Sequence, residues 1–323
     1  MARGETPATG LGARLSTWQR FFRARLLPTA LANGATGAIA AGALTTAPTV
    51  SNALLAAGVI AGAYLFGMGA NDWCDRRRDA TGAPERPIPS GDLSPTAALI
   101  AILVALGFSL GCAALLPART WPWVGAIFTA ILLYDGLLKD QSWLGPLAMG
   151  SVRFFVTLFG ASLIGEPIDG LLAALILGGH GFWVTRYSLE EERARPEVLA
   201  GRARAVFAHT GAAALLAVLF IKSPFLLHLG WSCPLVAWIV YGSRRSGFPP
   251  GWFTFRSLRV LLLLDGALQL SYNSPISAGI CGLLFLWTGS PGIPFTRSRK
   301  QPKQPPAPAQ SAAEPPPEGS KSS

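Results

Sequence analysis

Charge is scarce in this chain. Only 14% of its 323 residues are Asp, Glu, Lys or Arg, against about a quarter in an ordinary soluble domain. With half the residues apolar and a mean hydropathy of +0.39, that shortage excludes a water-soluble globular fold. Cysteine is just as sparse. The four residues Cys74, Cys112, Cys233 and Cys281 form no CxxC and no Cys/His cluster, which argues against a disulfide framework or a zinc site. Three of them sit in hydrophobic runs and read as small apolar residues. The three histidines, His180, His209 and His228, have no partner motif and are expected to be packing residues. Acidic residues number 17 against 27 basic ones, a net charge of +10. The basic residues are dispersed over segments that flank apolar runs, with no folded basic domain to hold them. That speaks against nucleic-acid binding.

What the chain has in quantity is apolar segments long enough to cross a bilayer, for which about 20 residues suffice. Ten candidate spans lie near 28–48, 52–71, 95–116, 121–138, 144–164, 168–187, 204–221, 224–242, 252–271 and 275–291. Proline and glycine punctuate most junctions. The first run follows a basic segment and lacks a small-residue cleavage site, unlike a cleaved signal peptide. Arginines gather before the first span (Arg14, Arg20, Arg23, Arg25), in the second–third loop (Arg76, Arg77, Arg78, Arg86), in the sixth–seventh loop (Arg193, Arg195, Arg202, Arg204) and after the eighth span (Arg244, Arg245). The alternate loops hold only Arg119 and Lys222. The positive-inside rule then puts the amino terminus and the even-numbered loops in the cytoplasm, as for a multi-pass protein of a bacterial inner membrane. The expected organisation is a basic amphipathic segment over 1–27, a transmembrane domain over 28–292 and a disordered Pro-rich tail over 293–323.

The chemistry concentrates at one place. Residues 71–79 read Asn-Asp-Trp-Cys-Asp-Arg-Arg-Arg-Asp, directly after the second apolar run. The spacing of Asp72, Asp75 and Asp79 sets three carboxylates on one helical face. Unpaired they would repel, so a cation is expected between them. Mg²⁺ is the natural candidate, because it takes hard oxygen ligands and fills its remaining positions with water and phosphate. A solvated charged cap is the bland alternative. Arg153 stands well inside the fifth span, where a charge normally faces a cavity. Asp265, inside the ninth, is expected to pair with Arg259 or Arg256.

The string Asn71-Asp72-x-x-Asp75-x-x-x-Asp79, followed by Arg86-Pro87-Ile88-Pro89-Ser90-Gly91, resembles the first signature of the UbiA superfamily of intramembrane prenyltransferases. Tyr134-Asp135-x-x-Leu138-Lys139 is similar to a Tyr/Asp/Lys cluster of the same family. The stretch from Tyr134 through Gly160 looks most like the EboC-type branch. The resemblance covers roughly residues 28–272. It implies an all-α, polytopic membrane helix bundle: a nine-helix horseshoe around a central cavity, to which this chain adds a tenth span. It also implies Mg²⁺-dependent transfer of a prenyl group from a prenyl diphosphate to a small acceptor, aromatic or a quinone precursor. On that reading Asp72, Asp75 and Asp79 hold the metal, and Asp72, Asp75 and Lys139 are catalytic. Asn71, Arg76, Arg86, Tyr134, Arg153, Glu190 and Glu192 contact substrate, and Phe154, Phe155, Phe159, Phe182 and Trp183 are candidates to shield an allylic cation.

The chain departs from the family at its second motif. Where a DxxxD-type pair belongs, residues 185–197 contain no aspartate, and Ser188 stands at a carboxylate position. Glu190 and Glu192 are the expected substitutes. The alternative reading is a non-catalytic relative that binds or helps to transport a prenylated or polyaromatic lipid. Three retained carboxylates in the first motif favour the enzyme; the altered second motif favours the binder.

Overall fold

Residues 11–43, 45–46, 48–193, 196–219, 225–243 and 251–289 are described in the computed structural model of the chain. The Pro-rich tail, Arg195, Lys222, Arg244 and Arg245 lie outside them. The described residues are helical, with no strand among them. A first helix, α1 (Leu11–Phe21), precedes ten more: α2 (Leu27–Ala40), α3 (Val50–Gly82), α4 (Pro95–Ala114), α5 (Trp121–Leu133), α6 (Leu144–Ser162), α7 (Leu171–Glu192), α8 (Pro196–Leu219), α9 (Phe225–Ser243), α10 (Trp252–Ser271) and α11 (Pro275–Gly289). These ten fall on the ten expected spans. Local sequence sets their starts. Thr49 Oγ1 accepts from the Asn52 amide at 3.2 Å to cap α3. Ser94 Oγ accepts from Ala97 N at 3.1 Å to cap α4, with Pro95 in the first turn, where no amide hydrogen is missed.

Among the described residues six segments are long and apolar enough to cross a membrane: Val50–Gly82, Pro95–Ala114, Ala118–Leu138, Leu144–Ser162, Pro167–Glu192 and Glu197–Leu219. This is fewer than ten, for reasons visible in the residues. α2 has 14 residues and α10 carries Arg256, Arg259 and Asp265. The apolar cores of α9 and α11, Trp231–Gly242 and Pro275–Gly289, are short. Large apolar side chains face outward on several helices, among them Leu103, Val104, Phe108, Leu175 and Leu283. In water they would be an aggregation liability; in a bilayer they are the lipid-facing surface.

Lipid is as apolar as leucine, so helix association here depends on close backbone approach. Glycine provides it. A Cβ on Gly37 of α2 would collide with the Thr157 carbonyl of α6, and one on Gly160 with the Gly34 carbonyl. Between α6 and α7, a Cβ on Gly150 would lie 2.7 Å from the Gly178 carbonyl oxygen. Between α3 and α4, Ser109 Oγ donates to the Val59 carbonyl at 2.8 Å beside Gly62. These seams fix α2 against α6, α6 against α7 and α3 against α4. One apolar core gathers Phe21, Val59, Ile60, Phe66, Ile127 and Phe159; another gathers Leu177, Leu235, Leu261 and Leu264 from α7, α9 and α10. Phe159 is completely buried in the first, so it is a packing residue and cannot line a substrate path.

Replacing Gly160 with Val is expected to separate α2 from α6 and to destabilise the protein by about 2 kcal/mol or more. Gly107→Ala, on the lipid-facing side of α4 with open space around it, is expected to leave stability unchanged. Thermal unfolding in the same detergent checks both.

Candidate active site at the membrane edge

α3 is 33 residues long, about 50 Å at 1.5 Å per residue. The hydrocarbon layer is about 30 Å thick. The helix therefore carries Asn71–Asp79 past the apolar layer without a break, and the three aspartates share its inner face. Asp72 and Asp79 are buried, and the Asp75 side chain is only 12% exposed. Carboxylates so far from water require compensation, and each has it. Arg23, in the turn after α1, donates from Nη2 to Asp72 Oδ1 at 2.7 Å. Arg86, in the Arg86–Gly91 loop, donates from Nη1 to Asp79 Oδ2 at 2.6 Å and reaches Asp72 Oδ1 at 3.5 Å. Lys139 Nζ is hydrogen-bonded to Asp75 Oδ2, and Arg78 Nη2 meets the same oxygen at 3.2 Å.

A π-helical turn over Tyr134–Leu138 continues α5, its Lys139 amide bonded to the Tyr134 carbonyl at 2.9 Å. Such single wide turns recur at functional sites because they rotate side chains out of α-helical register. Here the turn delivers three groups at once. Lys139 reaches Asp75. Asp135 Oδ1 accepts from Asn71 Nδ2 at 2.8 Å. Tyr134 is half-buried at the same mouth.

Arg23 was not among the expected ligand-contacting residues. In the sequence it belongs to the basic segment that sets topology, and no local spacing ties it to Asp72, 49 residues away. Its backbone is in the left-handed region, φ 46°, which is uncommon for a residue with a side chain. Its carbonyl accepts from Tyr64 Oη at 2.9 Å. The opposing carboxylate raises the guanidinium's already high pKa, Asp72 being the largest cause, so Arg23 is a permanent cation. Arg20 anchors the preceding turn on Asp92 at 2.7 Å. That hydrogen bond also lowers the Asp92 pKa.

Other expected residues lie elsewhere. Arg76 stacks on Trp73, its guanidinium 3.9 Å from the ring centroid, and donates to the Trp73 carbonyl. It is not brought to the carboxylates. The three glutamates of α7 diverge. Glu190 is buried against Arg186, 3.2 Å away and one turn back. Glu191 turns to the start of α10, accepting from the Gly251 amide at 2.8 Å and Thr254 Oγ1 at 3.1 Å. Glu192 faces the α3 helix, but Arg78 stands between, 3.9 Å from Glu192 Oε2 and 3.2 Å from Asp140 Oδ1. A guanidinium thus joins the ends of α3 and α7. Asp265 does not pair with Arg259 or Arg256. It is bonded to α2, and Arg259 instead donates to Thr288 and the Phe285 carbonyl of α11. Arg259 and Arg256 precede Asp265 by about 1.7 and 2.5 helical turns, which turns both away from its face, and α2 supplies its polar partners instead.

Among the described residues no three metal-capable side chains converge as a ready cage. The donor set nevertheless suits Mg²⁺. Asp72 and Asp75 are hard oxygen donors on one helical face, and Mg²⁺ characteristically takes one or two carboxylates, completing its shell with water and phosphate.

An all-α membrane bundle with an aspartate-rich, cation-lined mouth is the class these features define. The model of the UbiA prenyltransferase family matches residues 26–259, and the chain belongs to that family. It is 35% identical over 116 residues to a digeranylgeranylglyceryl phosphate synthase of Methanothrix thermoacetophila, covering 36% of this chain and 34% of that protein. It is 33% identical over 145 residues to the bacteriochlorophyll synthase 33 kDa chain of Rhodobacter capsulatus, covering 38% of this chain and 45% of that one. The matched stretches thus span between a third and a half of these relatives. In fold it is similar to a UbiA homologue from Archaeoglobus fulgidus bound to GPP and Mg²⁺, with a TM-score of 0.58, 14% identity, and coverage of 81% of this chain and 99% of that one. The chain is an integral membrane protein.

Arg86→Gln removes the cation shared by Asp72 and Asp79 and should loosen the 83–94 loop. Amide hydrogen exchange at Ser90, Gly91 and Leu93 is expected to speed up by about tenfold or more, the equivalent of one charge-assisted bond. Unchanged exchange would mean that the prolines alone hold the loop.

Proposed function

We propose that this protein catalyses Mg²⁺-dependent transfer of a prenyl group from a prenyl diphosphate to a small, membrane-accessible acceptor, aromatic or a quinone precursor. The observation that carries the reading is the mouth itself. Four basic side chains from four parts of the chain, Arg23, Arg78, Arg86 and Lys139, converge on the carboxylates at the end of α3. Cations gathered around carboxylates that can hold a metal are what a metal-bridged polyanionic headgroup needs.

Asp72 and Asp75 would hold the metal, with Asp79 keeping Arg86 in place behind them. Mg²⁺ bound there would supply concentrated positive charge to the diphosphate oxygens. As the allylic carbon–oxygen bond breaks, its electron pair leaves with the diphosphate, and negative charge grows where Lys139, Arg23 and Arg78 already point. Asn71 and Tyr134 would orient oxygens of the same group. Phe154 and Phe155, edge to face at 5.4 Å, and Phe182, against Trp143 and Trp183, offer ring faces to the carbocation. The acceptor then bonds to the allylic carbon and loses its proton. Glu192 would contribute by holding Arg78, whose Nη2 lies 3.9 Å from its Oε2.

Release of inorganic diphosphate from geranyl diphosphate, with a panel of acceptors, tests the reading. Asp75→Ala is expected to lower the rate by about a hundredfold or more while the protein stays folded. Glu192→Ala is expected to cost less, about tenfold, by freeing Arg78. Binding without any release by the wild type would instead support the lipid-binding reading.

The orientation we propose puts the amino terminus, the 72–91 loop and the 186–203 segment on the cytoplasmic side of a bacterial inner membrane, on the arginine asymmetry between loops. Single cysteines at positions 80 and 195 are expected to resist labelling by impermeant maleimide in intact cells. Labelling from outside would invert the topology.

A further inference from the structure

Where α1 meets the outer face of α4, the bundle carries an apolar groove of about 540 Å³. Its floor is made of small residues, Ala97, Ala101 and Ala105, which follow one another at one-turn intervals along α4. Trp18 and Phe22 of α1 stack at 5.7 Å and form one wall. From Ala97 to Phe108, the last residue of the lining, the groove runs about 16 Å along the helix at 1.5 Å per residue. One leaflet accounts for about half of the 30 Å hydrocarbon layer. The groove is therefore as long as one leaflet is deep, and it is apolar throughout, which suits a single acyl chain.

The head of the groove lies at the mouth end of the bundle, because α4 starts at Pro95, just after the Arg86–Gly91 loop. Trp73 Nε1 of α3 donates to the Pro95 carbonyl at 3.2 Å. The Arg76 guanidinium, 3.9 Å from the Trp73 ring centroid, thus stands beside the first turn of α4. Arg14 is exposed and sits one turn before Trp18 on the same face of α1. Asp92 is already paired with Arg20 at 2.7 Å. A slot for one chain with cations at its polar end is the pattern that an acidic phospholipid fits at the membrane surface. A second copy of this chain fits it less well. It would have to bring an acidic face to Arg14 and Arg76, and with 17 acidic against 27 basic residues it has little to offer.

We propose that this groove binds an anionic phospholipid, with one acyl chain laid along α4 between Ala97 and Phe108 and the phosphate held by Arg14 and Arg76. Arg76, which is not brought to the carboxylates, thereby has a ligand of its own. The lipid would also steady the mouth. α1 is moored to α3 by Phe21, whose ring would lie 3.3 Å from a Cβ on Gly69, and to the Arg86 loop side by the Arg20–Asp92 pair. Two residues past its end stands Arg23, the cation on Asp72. A lipid gripped by Trp18, Phe22 and Arg14 adds a third hold on this segment.

The test uses the full-length protein in detergent, titrated with dioleoylphosphatidylglycerol or, separately, dioleoylphosphatidylcholine, with retained lipid counted by native mass spectrometry. The wild type is expected to hold one phosphatidylglycerol roughly tenfold more tightly than phosphatidylcholine. Arg14→Gln and Arg76→Gln are each expected to weaken phosphatidylglycerol by about fivefold and to leave phosphatidylcholine unchanged. Ala101→Trp fills the groove and keeps both arginines, so it is expected to weaken both lipids tenfold or more. Bound phosphatidylglycerol is expected to slow amide hydrogen exchange over Leu11–Phe21 in the wild type and not in Ala101→Trp. Equal retention of the two lipids by the wild type overturns the proposal. So does wild-type retention in Ala101→Trp, the mark of diffuse attraction to a basic surface. Should Ala101→Trp fail to fold, the joint Arg14→Gln and Arg76→Gln variant decides, since unchanged preference for phosphatidylglycerol there is equally contrary. A lipid-free dimer that Ala101→Trp dissolves would give the groove to a second copy and also overturn the proposal.

Discussion

Burying carboxylates at the end of a membrane helix is costly unless positive charge accompanies them, and the arrangement around α3 follows from that. Asp72, Asp75 and Asp79 cannot share one helical face in a poorly solvated mouth without cations. The chain supplies them from the turn after α1, from α3 itself, from the Arg86 loop and from the π-helical turn after α5. Those contacts pin the amino-terminal segment and two loops onto the α3 end. The proposed diphosphate site is made of the same groups that neutralise the carboxylates.

Close helix packing makes that convergence possible. The Gly37–Gly160 seam brings α2 against α6, and Gly150–Gly178 brings α6 against α7. With bulkier residues there, the helices that carry Asn33, Arg153 and the α7 glutamates would stand too far apart to share polar partners. Two polar layers result, one at the mouth with aspartates and cations, the other deeper with Arg153, Asn33 and Asp265. Tyr64, bonded to the Arg23 carbonyl, lies between them.

Much of this was legible in the residues. Hydropathy and proline punctuation located the ten helices, and the three-then-four spacing of the aspartates put them on one face. The pairings were less visible, because they join residues far apart in sequence. Arg23 and Asp72 are 49 positions apart, Lys139 and Asp75 are 64, and Asn33 and Asp265 are 232. Spacing arguments see only neighbours on one helix, which is why Asp265 was matched to Arg259 and Arg256, and why Arg23 was read as a topology signal. The α7 run Glu190–Glu192 shows the same limit. Successive helical residues point about 100° apart, so three consecutive glutamates had to diverge, but only the neighbours of α7 decide which one meets α3.

The central claim is that the mouth is built for a metal-bridged diphosphate. Its most direct test is the affinity of the wild-type protein, in nanodiscs, for a non-hydrolysable geranyl diphosphate analogue as Mg²⁺ is titrated. The account predicts tight binding in millimolar Mg²⁺ and a loss of about a hundredfold or more in excess chelator, as expected when a divalent bridge between carboxylates and diphosphate is removed. Equal affinity with and without Mg²⁺ would contradict it, leaving the aspartates as partners of their arginines alone.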